Sequence, residues 1–176
     1  MDLQEISDRM EINKLLVEYC HAIDDKNWDA LDNVFTPDAI IDYSEMVPFR
    51  GNRAETKAFL TAAMANTAAC QHIISTSQIR IQGDRAWGRT ICVNPNVMAS
   101  GEMFTVGLWY RDEFRRTPEG WRIVHRYEES SWRQGAPKGL LADPIAVRAA
   151  WEAQGGHPAG PVGAEVFPQK LRAHAE

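Results

Sequence analysis

Over the first two dozen residues, apolar side chains return at Leu3, Ile6, Met10, Leu16, Tyr19, Cys20 and Ile23, with Ile12 and Leu15 beside them. Steps of three and four place them on one stripe of a helix, because a turn takes about 3.6 residues. The polar run Asp24–Asp25–Lys26–Asn27 ends that pattern. A second, short helix is expected from Trp28 to Phe35, stopped by Thr36–Pro37–Asp38, since proline disfavours helical backbone in the residue before it. Ala39–Tyr43 reads as a strand. Arg50–Gly51–Asn52 reads as a turn whose asparagine caps a third helix to about Met64.

Beyond that point the period falls to two. Four strand-like runs follow, Gln71–Gln82, Arg85–Asn94, Glu102–Arg116 and Gly120–Trp132, with Gly83–Asp84 joining the first pair and Thr117–Pro118–Glu119–Gly120 the last. Such short links make hairpins, so an antiparallel sheet is expected. Helices first and strands afterwards indicate an α+β layered fold. In the last run, strict alternation puts Trp121, Ile123, His125 and Tyr127 on one face and Arg122, Val124, Arg126 and Glu128 on the other. A histidine within a largely apolar face needs a polar partner or a ligand. In the third run both faces carry large apolar groups, Phe104, Val106, Leu108 and Tyr110 on one and Trp109 on the other. A strongly curved sheet accounts for this, one face covering the helices and the other packing on a second subunit.

Composition narrows the function. At 176 residues the chain fits one domain, and 44% hydrophobic with 24% charged residues is ordinary for a globular protein. A net charge of −5 argues against nucleic acid or anionic lipid as the main partner. With no long apolar run, no signal-peptide core in MDLQEISDRMEINK and only three cysteines without CxxC spacing, a reduced cytoplasmic protein is expected. Residues 133–176 hold 6 of the 12 glycines and 5 of the 9 prolines but one of the six tryptophans. A packed body over 1–132 and a looser extension over 133–176 follow from that imbalance. Within the extension, Asp143–Pro144 begins and Gly155–Gly156 follows a short helix over Asp143–Glu152. Ile145, Val147 and Trp151, with Val166–Phe167, are candidates to cover the barrel mouth or a neighbouring subunit.

The chain has no G-x-G-x-x-G, phosphate-binding G-x4-G-K-[ST], H-E-x-x-H or G-x-S-x-G motif. What remains is a set of titratable residues on faces expected to be buried: Tyr19, Asp24, Asp42, Tyr43, His72 and His125. Taken singly, each tyrosine or histidine is as readily a satisfied core residue, Asp24 a cap, and each cysteine a small core side chain. Arg111, Arg115, Arg116, Arg122 and Arg126 alternate with acids and read as an exposed charged face.

Their order carries more than their types. Tyr19-x4-Asp24-x3-Trp28-x2-Leu31-x3-Phe35, Ile41–Asp42–Tyr43, His72 ahead of Ile79-x-Ile81-x-Gly83–Asp84-x-Ala86, and Gly120–Trp121–Arg122–Ile123 resemble the SnoaL-like branch of the nuclear transport factor 2-like superfamily over residues 5–132. The resemblance implies a cone-shaped α+β barrel, with N-terminal helices packed on a strongly curved antiparallel sheet around one apolar pocket. Within the superfamily the pattern is similar to scytalone dehydratase and the bile-acid 7α-dehydratases, lyases that use no cofactor and no metal. On that resemblance Asp24 and His72 match the catalytic Asp–His dyad, Tyr43 a tyrosine near the substrate carbonyl, and Tyr19 the helix tyrosine of the bile-acid enzymes. The sequence departs from both patterns, with Ile23 where scytalone dehydratase has a second pocket tyrosine. It has Asn94 and His125 where the bile-acid enzymes carry an acid and an arginine.

The resulting expectation is a cofactor-free lyase that removes water, or formaldehyde, from a hydrophobic aromatic or polycyclic small molecule. His72 would act as acid/base, Asp24 would orient it, and Tyr19 and Tyr43 would donate hydrogen bonds. Asn94, His125, Tyr127, Phe35 and Trp28 would contact the substrate. Two other readings stay open. One is an isomerase or polyketide cyclase using Asp24 or Asp42 as base. The other is a non-catalytic ligand-binding or structural subunit, such as the β subunit of a ring-hydroxylating dioxygenase. A homo-oligomer is expected, a trimer ahead of a dimer.

Overall fold

The computed structural model describes residues 1–155; Val166 and Phe167 lie outside them. The chain runs α1 (Leu3–Asp24), a 3-10 turn (Trp28–Asn33), β1 (Phe35–Asp42), β2 (Arg50–Gly51), α2 (Arg53–Ala63), β3 (Thr67–Cys70), β4 (Ile73–Gln82), β5 (Arg85–Met98), β6 (Met103–Thr117), β7 (Gly120–Gln134) and α3 (Pro144–Glu152). Seven strands form one sheet in the order β2-β1-β7-β6-β5-β3, with β4 also paired to β5. All pairings are antiparallel except β1 with β7, so the sheet is mixed where an antiparallel one was expected. The reason is the connection: β1 ends at Asp42 and β7 begins only at Gly120, which leaves room for a crossover that a hairpin lacks.

The helix starts are encoded locally. Asp2 accepts from the Glu5 N–H to cap α1, and Asn52 with Glu55 forms a reciprocal capping box on α2. The expected short helix from Trp28 to Phe35 is instead a 3-10 turn ending at Asn33, and Phe35 already begins β1. Pro37 lies where β1 loses register against β7, between Phe35 and Ile40. Proline offers no N–H to a ladder and is tolerated at such an irregularity.

Two side-facing expectations fail, each for a visible reason. On α1, Leu3, Ile6 and Met10 are exposed, whereas Asp8, Ile12, Leu15, Leu16 and Tyr19 are buried. Asp8 turns the helix this way: its carboxylate accepts from Arg116 Nη2 at 2.7 Å and from Trp121 Nε1 at 3.1 Å. The Arg116 hydrogen bond, working against burial, holds that carboxyl down at about 2. A folded-state value below the ordinary 3.8 means the contribution is complete above about pH 4 and is lost as pH falls toward 2. Asp8→Asn is therefore expected to melt a few degrees below the parent at pH 7, with the gap closing on acidification in a thermal-melt series.

On β7, strict alternation breaks. Phe114 pairs with Ile123 and Glu113 with His125, so Val124 is an extra residue on β7. Trp121 and Ile123 face the interior, but beyond the shift it is Arg126 and Glu128 that do so, and His125 and Tyr127 turn to the other face. Arg111 and Arg126, expected on an exposed charged face, are fully buried. Each is neutralised across the β6–β7 ladder, Arg111 by Glu129 and Arg126 by Asp112. Buried charges persist only when paired in this way.

The core fills the space between α1 and the inner face of the sheet, and includes Ile12, Leu16, Leu31, Phe35, Phe114 and Trp121. The C-terminal segment is tied to the same body. Buried Glu45, in the turn after β1, accepts from the Tyr127 hydroxyl, the Ser130 N–H and the Arg148 guanidinium of α3. Among the described residues no helix is long and apolar enough to cross a membrane.

Candidate active site

Asp24 ends α1, and His72 sits in the link between β3 and β4; the two are 48 residues apart in sequence yet directly bonded. Asp24 Oδ1 accepts from His72 Nδ1 at 2.6 Å, and Oδ2 accepts from the His72 backbone N–H at 2.9 Å. A carboxylate only accepts, so Nδ1 carries the proton and the basic lone pair of the neutral ring lies on Nε2. Burial pushes the Asp24 carboxyl up, but its hydrogen bonds from the His72 ring and backbone outweigh that and lower it overall. Asp24 therefore stays ionised and fixes the tautomer and orientation of the imidazole. Asn94 supports the corner, donating to the Gln71 carbonyl at 2.9 Å with the same amide nitrogen 3.3 Å from His72 Nδ1.

The tyrosines stand beside this pair. Tyr19 meets the His72 ring edge to face at 6.0 Å, and the Tyr19 and Tyr43 hydroxyls are 2.9 Å apart. Burial raises both phenols above their ordinary value, so they remain protonated donors. Phe35 packs edge-on against Tyr19 at 5.8 Å, while Trp28 is half-buried against the core.

The remaining candidates lie elsewhere. Tyr127 is turned away from the dyad and donates to Glu45, and His125 shares its face. Burial, with Arg50 nearby, lowers the His125 imidazole, so it is neutral at neutral pH. Asp42, the alternative base, accepts from the Ser44 N–H at 3.0 Å and faces Arg50 at 3.5 Å.

Two interior residues were not among the candidates. The Arg126 guanidinium lies over the Tyr19 ring at 4.0 Å and the Tyr110 ring at 4.1 Å, doubly bonded to Asp112 at 2.7 and 2.8 Å. Its Nη1 is sealed from solvent with no hydrogen-bond partner among the described residues. Glu128 is 5% exposed, and burial pushes its carboxyl up to about 8. Only the register shift at Val124 brings both inward, and no sequence signal marks that shift.

The interior wall beside the dyad is therefore partly polar. Hollows of about 360 Å³ beside Glu11 and Trp121 and about 560 Å³ beside Asp2 and Arg116 contain none of these residues. Asp24, Cys70 and His72 bring three possible metal-ligand atoms within 4.8 Å. These atoms already bond one another, Cys70 Sγ lying 3.4 Å from Asp24 Oδ1.

Known proteins resemble this chain in sequence and in fold. An uncharacterized protein of Mycobacterium tuberculosis is 42% identical over 136 residues, 76% of this chain and 92% of its own length. A Novosphingobium aromaticivorans structure provisionally named an aromatic ring hydroxylase is 30% identical, with a TM-score of 0.70 over 74% of this chain and 94% of its own. Another from that organism, provisionally named a scytalone dehydratase, gives 0.71 at 16% identity, over 80% and 95%. The hexachlorocyclohexane dehydrochlorinase LinA type 2 gives 0.69 at 14% identity, over 79% and 99%. Those last two show a shared fold, which a Novosphingobium aromaticivorans structure named as an NTF2-like protein also has, at 29% identity and a TM-score of 0.61 over 72% of this chain and 83% of its own. With its residues 4–127 matched by the SnoaL-like domain model, the chain belongs to the SnoaL-like family.

Proposed function

We propose that this protein is a cofactor-independent lyase that eliminates water from a hydrophobic aromatic or polycyclic small molecule. The observation that carries the reading is the His72 Nδ1–Asp24 Oδ1 bond of 2.6 Å, which leaves Nε2 as a base held by a half-buried carboxylate. A non-catalytic subunit has no use for such a pair. His72 Nε2 takes a proton from carbon beside a carbonyl, and the Tyr19–Tyr43 pair donates to the oxygen on which charge gathers. Such positioned acid–base groups contribute roughly 10²–10⁴-fold in rate. The dehydratase and dehydrochlorinase names of two fold neighbours support an elimination. Retro-aldol loss of formaldehyde from a diaryl diol draws on the same groups. Isomerisation with Asp42 as base is disfavoured, because its carboxylate is taken up by Ser44 and Arg50.

The rest of the reading is a cytoplasmic homo-oligomer, a trimer ahead of a dimer, with the 133–176 extension serving as a lid or a subunit contact. Its helix α3 is held to the body by Arg148 on Glu45. Incubation with 3-hydroxy-1-tetralone, a bicyclic β-hydroxyketone, and with a lignin-type diarylpropanediol tests the chemistry by mass spectrometry. Loss of 18 mass units from the tetralone, giving 1-naphthol, is expected. A product of unchanged mass would make the protein an isomerase, formaldehyde from the diol would make it a carbon–carbon lyase, and no product from either would remove the proposal.

A further inference from the structure

Catalysis of water loss needs two proton movements, one from carbon and one onto the departing hydroxyl, because hydroxide is a poor leaving group. His72 provides the first. The place of Glu128 in the fold bears on the second. β1 and β7 run parallel with Ile41 opposite Arg126 and Asp42 opposite Tyr127, and just past that last pair the Glu128 charge acts on the Tyr43 phenol. Across β6, Glu128 faces Tyr110. Among the described residues no hydrogen bond is found for its carboxyl, and the residue is 5% exposed. A buried acid left unbonded at an interior wall, next to the Tyr43 of the hydroxyl pair, is positioned for a ligand.

We propose that Glu128 is the general acid of this site, giving its proton to the leaving oxygen while His72 takes the proton from carbon. This rests on the lyase reading above and adds a substrate class to it: molecules whose leaving group is oxygen, in preference to halide. The step balances. The C–H pair becomes the new C=C bond, the C–O pair stays on oxygen, Glu128 supplies the proton that makes it water, and the imidazolium proton returns to Glu128 between turnovers.

The surrounding charges allow Glu128 to be protonated at neutral pH. Burial raises its carboxyl most, Arg126 opposes, and Glu45, Asp112 and Asp42 add to the rise, giving about 8. The neighbours Tyr19, Tyr43, Tyr110 and Cys92 are themselves held protonated by burial. A carboxyl kept neutral by its site can donate at pH 7 where an ordinary glutamate cannot.

The test compares the parent with Glu128→Gln, which keeps the shape and removes the titrating proton. Infrared difference spectra between the two, from pH 5 to 9, are expected to show a protonated carboxyl band that disappears near pH 8; a carboxylate throughout would overturn the assignment without any substrate. Kinetics on 3-hydroxy-1-tetralone and 3-chloro-1-tetralone then separate the roles. Glu128→Gln is expected to lose about 100-fold more on the hydroxyketone than on the chloroketone, since chloride leaves without a proton. Equal effects on both, or none, would overturn the acid role while leaving His72 and the lyase reading in place. A parent enzyme inert on both would remove the lyase reading and this inference with it.

Discussion

Replacing His72 by alanine is expected to lower kcat on 3-hydroxy-1-tetralone by about 10²–10⁴-fold with the fold intact. The side chain is 8% exposed and its ring bonds Asp24, with the Asn94 amide beside it, so its loss opens a small space at the cone's interior edge without stripping the core. Asp24→Asn should act on the same step by a different route. The amide can no longer accept at both oxygens from the His72 ring and backbone, so the tautomer is no longer fixed and the imidazolium loses its counter-charge. The double variant should be little worse than the worse single one, because the two residues act as a unit. Circular dichroism confirms folding and steady-state kinetics measures the loss; full activity in both single variants would overturn the dyad. Since the Asp24 carboxyl lies below its ordinary 3.8, its support is complete above that pH and is lost only on further acidification.

The largest stability effect is expected at Arg126. Arg126→Met removes a guanidinium of zero exposure and leaves Asp112, also fully buried, as an uncompensated charge. Breaking a buried pair from one side costs about 3–5 kcal/mol. The stack of Arg126 on Tyr19 and Tyr110 adds lost packing to the lost charge. Replacing both partners, Arg126→Met with Asp112→Leu, should cost clearly less than the sum of the single changes, because no orphaned charge remains. Urea unfolding followed by tryptophan fluorescence measures all three variants. A single-variant cost below about 1 kcal/mol would show that Asp112 finds another partner.

How far the sequence reveals this molecule depends on which signals are local. The α1 boundaries, the Asn52 cap and the hairpins at Gly83–Asp84 and Thr117–Gly120 follow from short-range rules, and they are legible. So is the pairing of Asp24 with His72, through the order of residues shared with a known family. Long-range balances are not legible. Nothing near Asp8 in the chain marks Arg116 and Trp121 as its partners, so the buried stripe of α1 is misread over its first turns. An arginine in a strand normally faces water, and only the pairing of β6 with β7 shows that Arg111 and Arg126 do not. The faces of β7 were assigned by an alternation that one extra residue cancels, which moved His125 and Tyr127 off the site and hid Glu128.

That extra residue, Val124, separates two questions usually treated as one: which side chains a strand encodes, and which of them a ligand meets. Upstream of the shift the interior sees Trp121 and Ile123; downstream it sees Arg126 and Glu128. Deleting Val124 would leave Arg126 opposite Asp112 and the downstream faces unchanged, whereas drawing Val124 into the ladder would exchange the entire downstream lining, replacing an acid and a guanidinium with a histidine and a tyrosine, while every codon stays the same. Within this fold such a slip offers a route to new chemistry that point substitutions would reach only through several simultaneous changes.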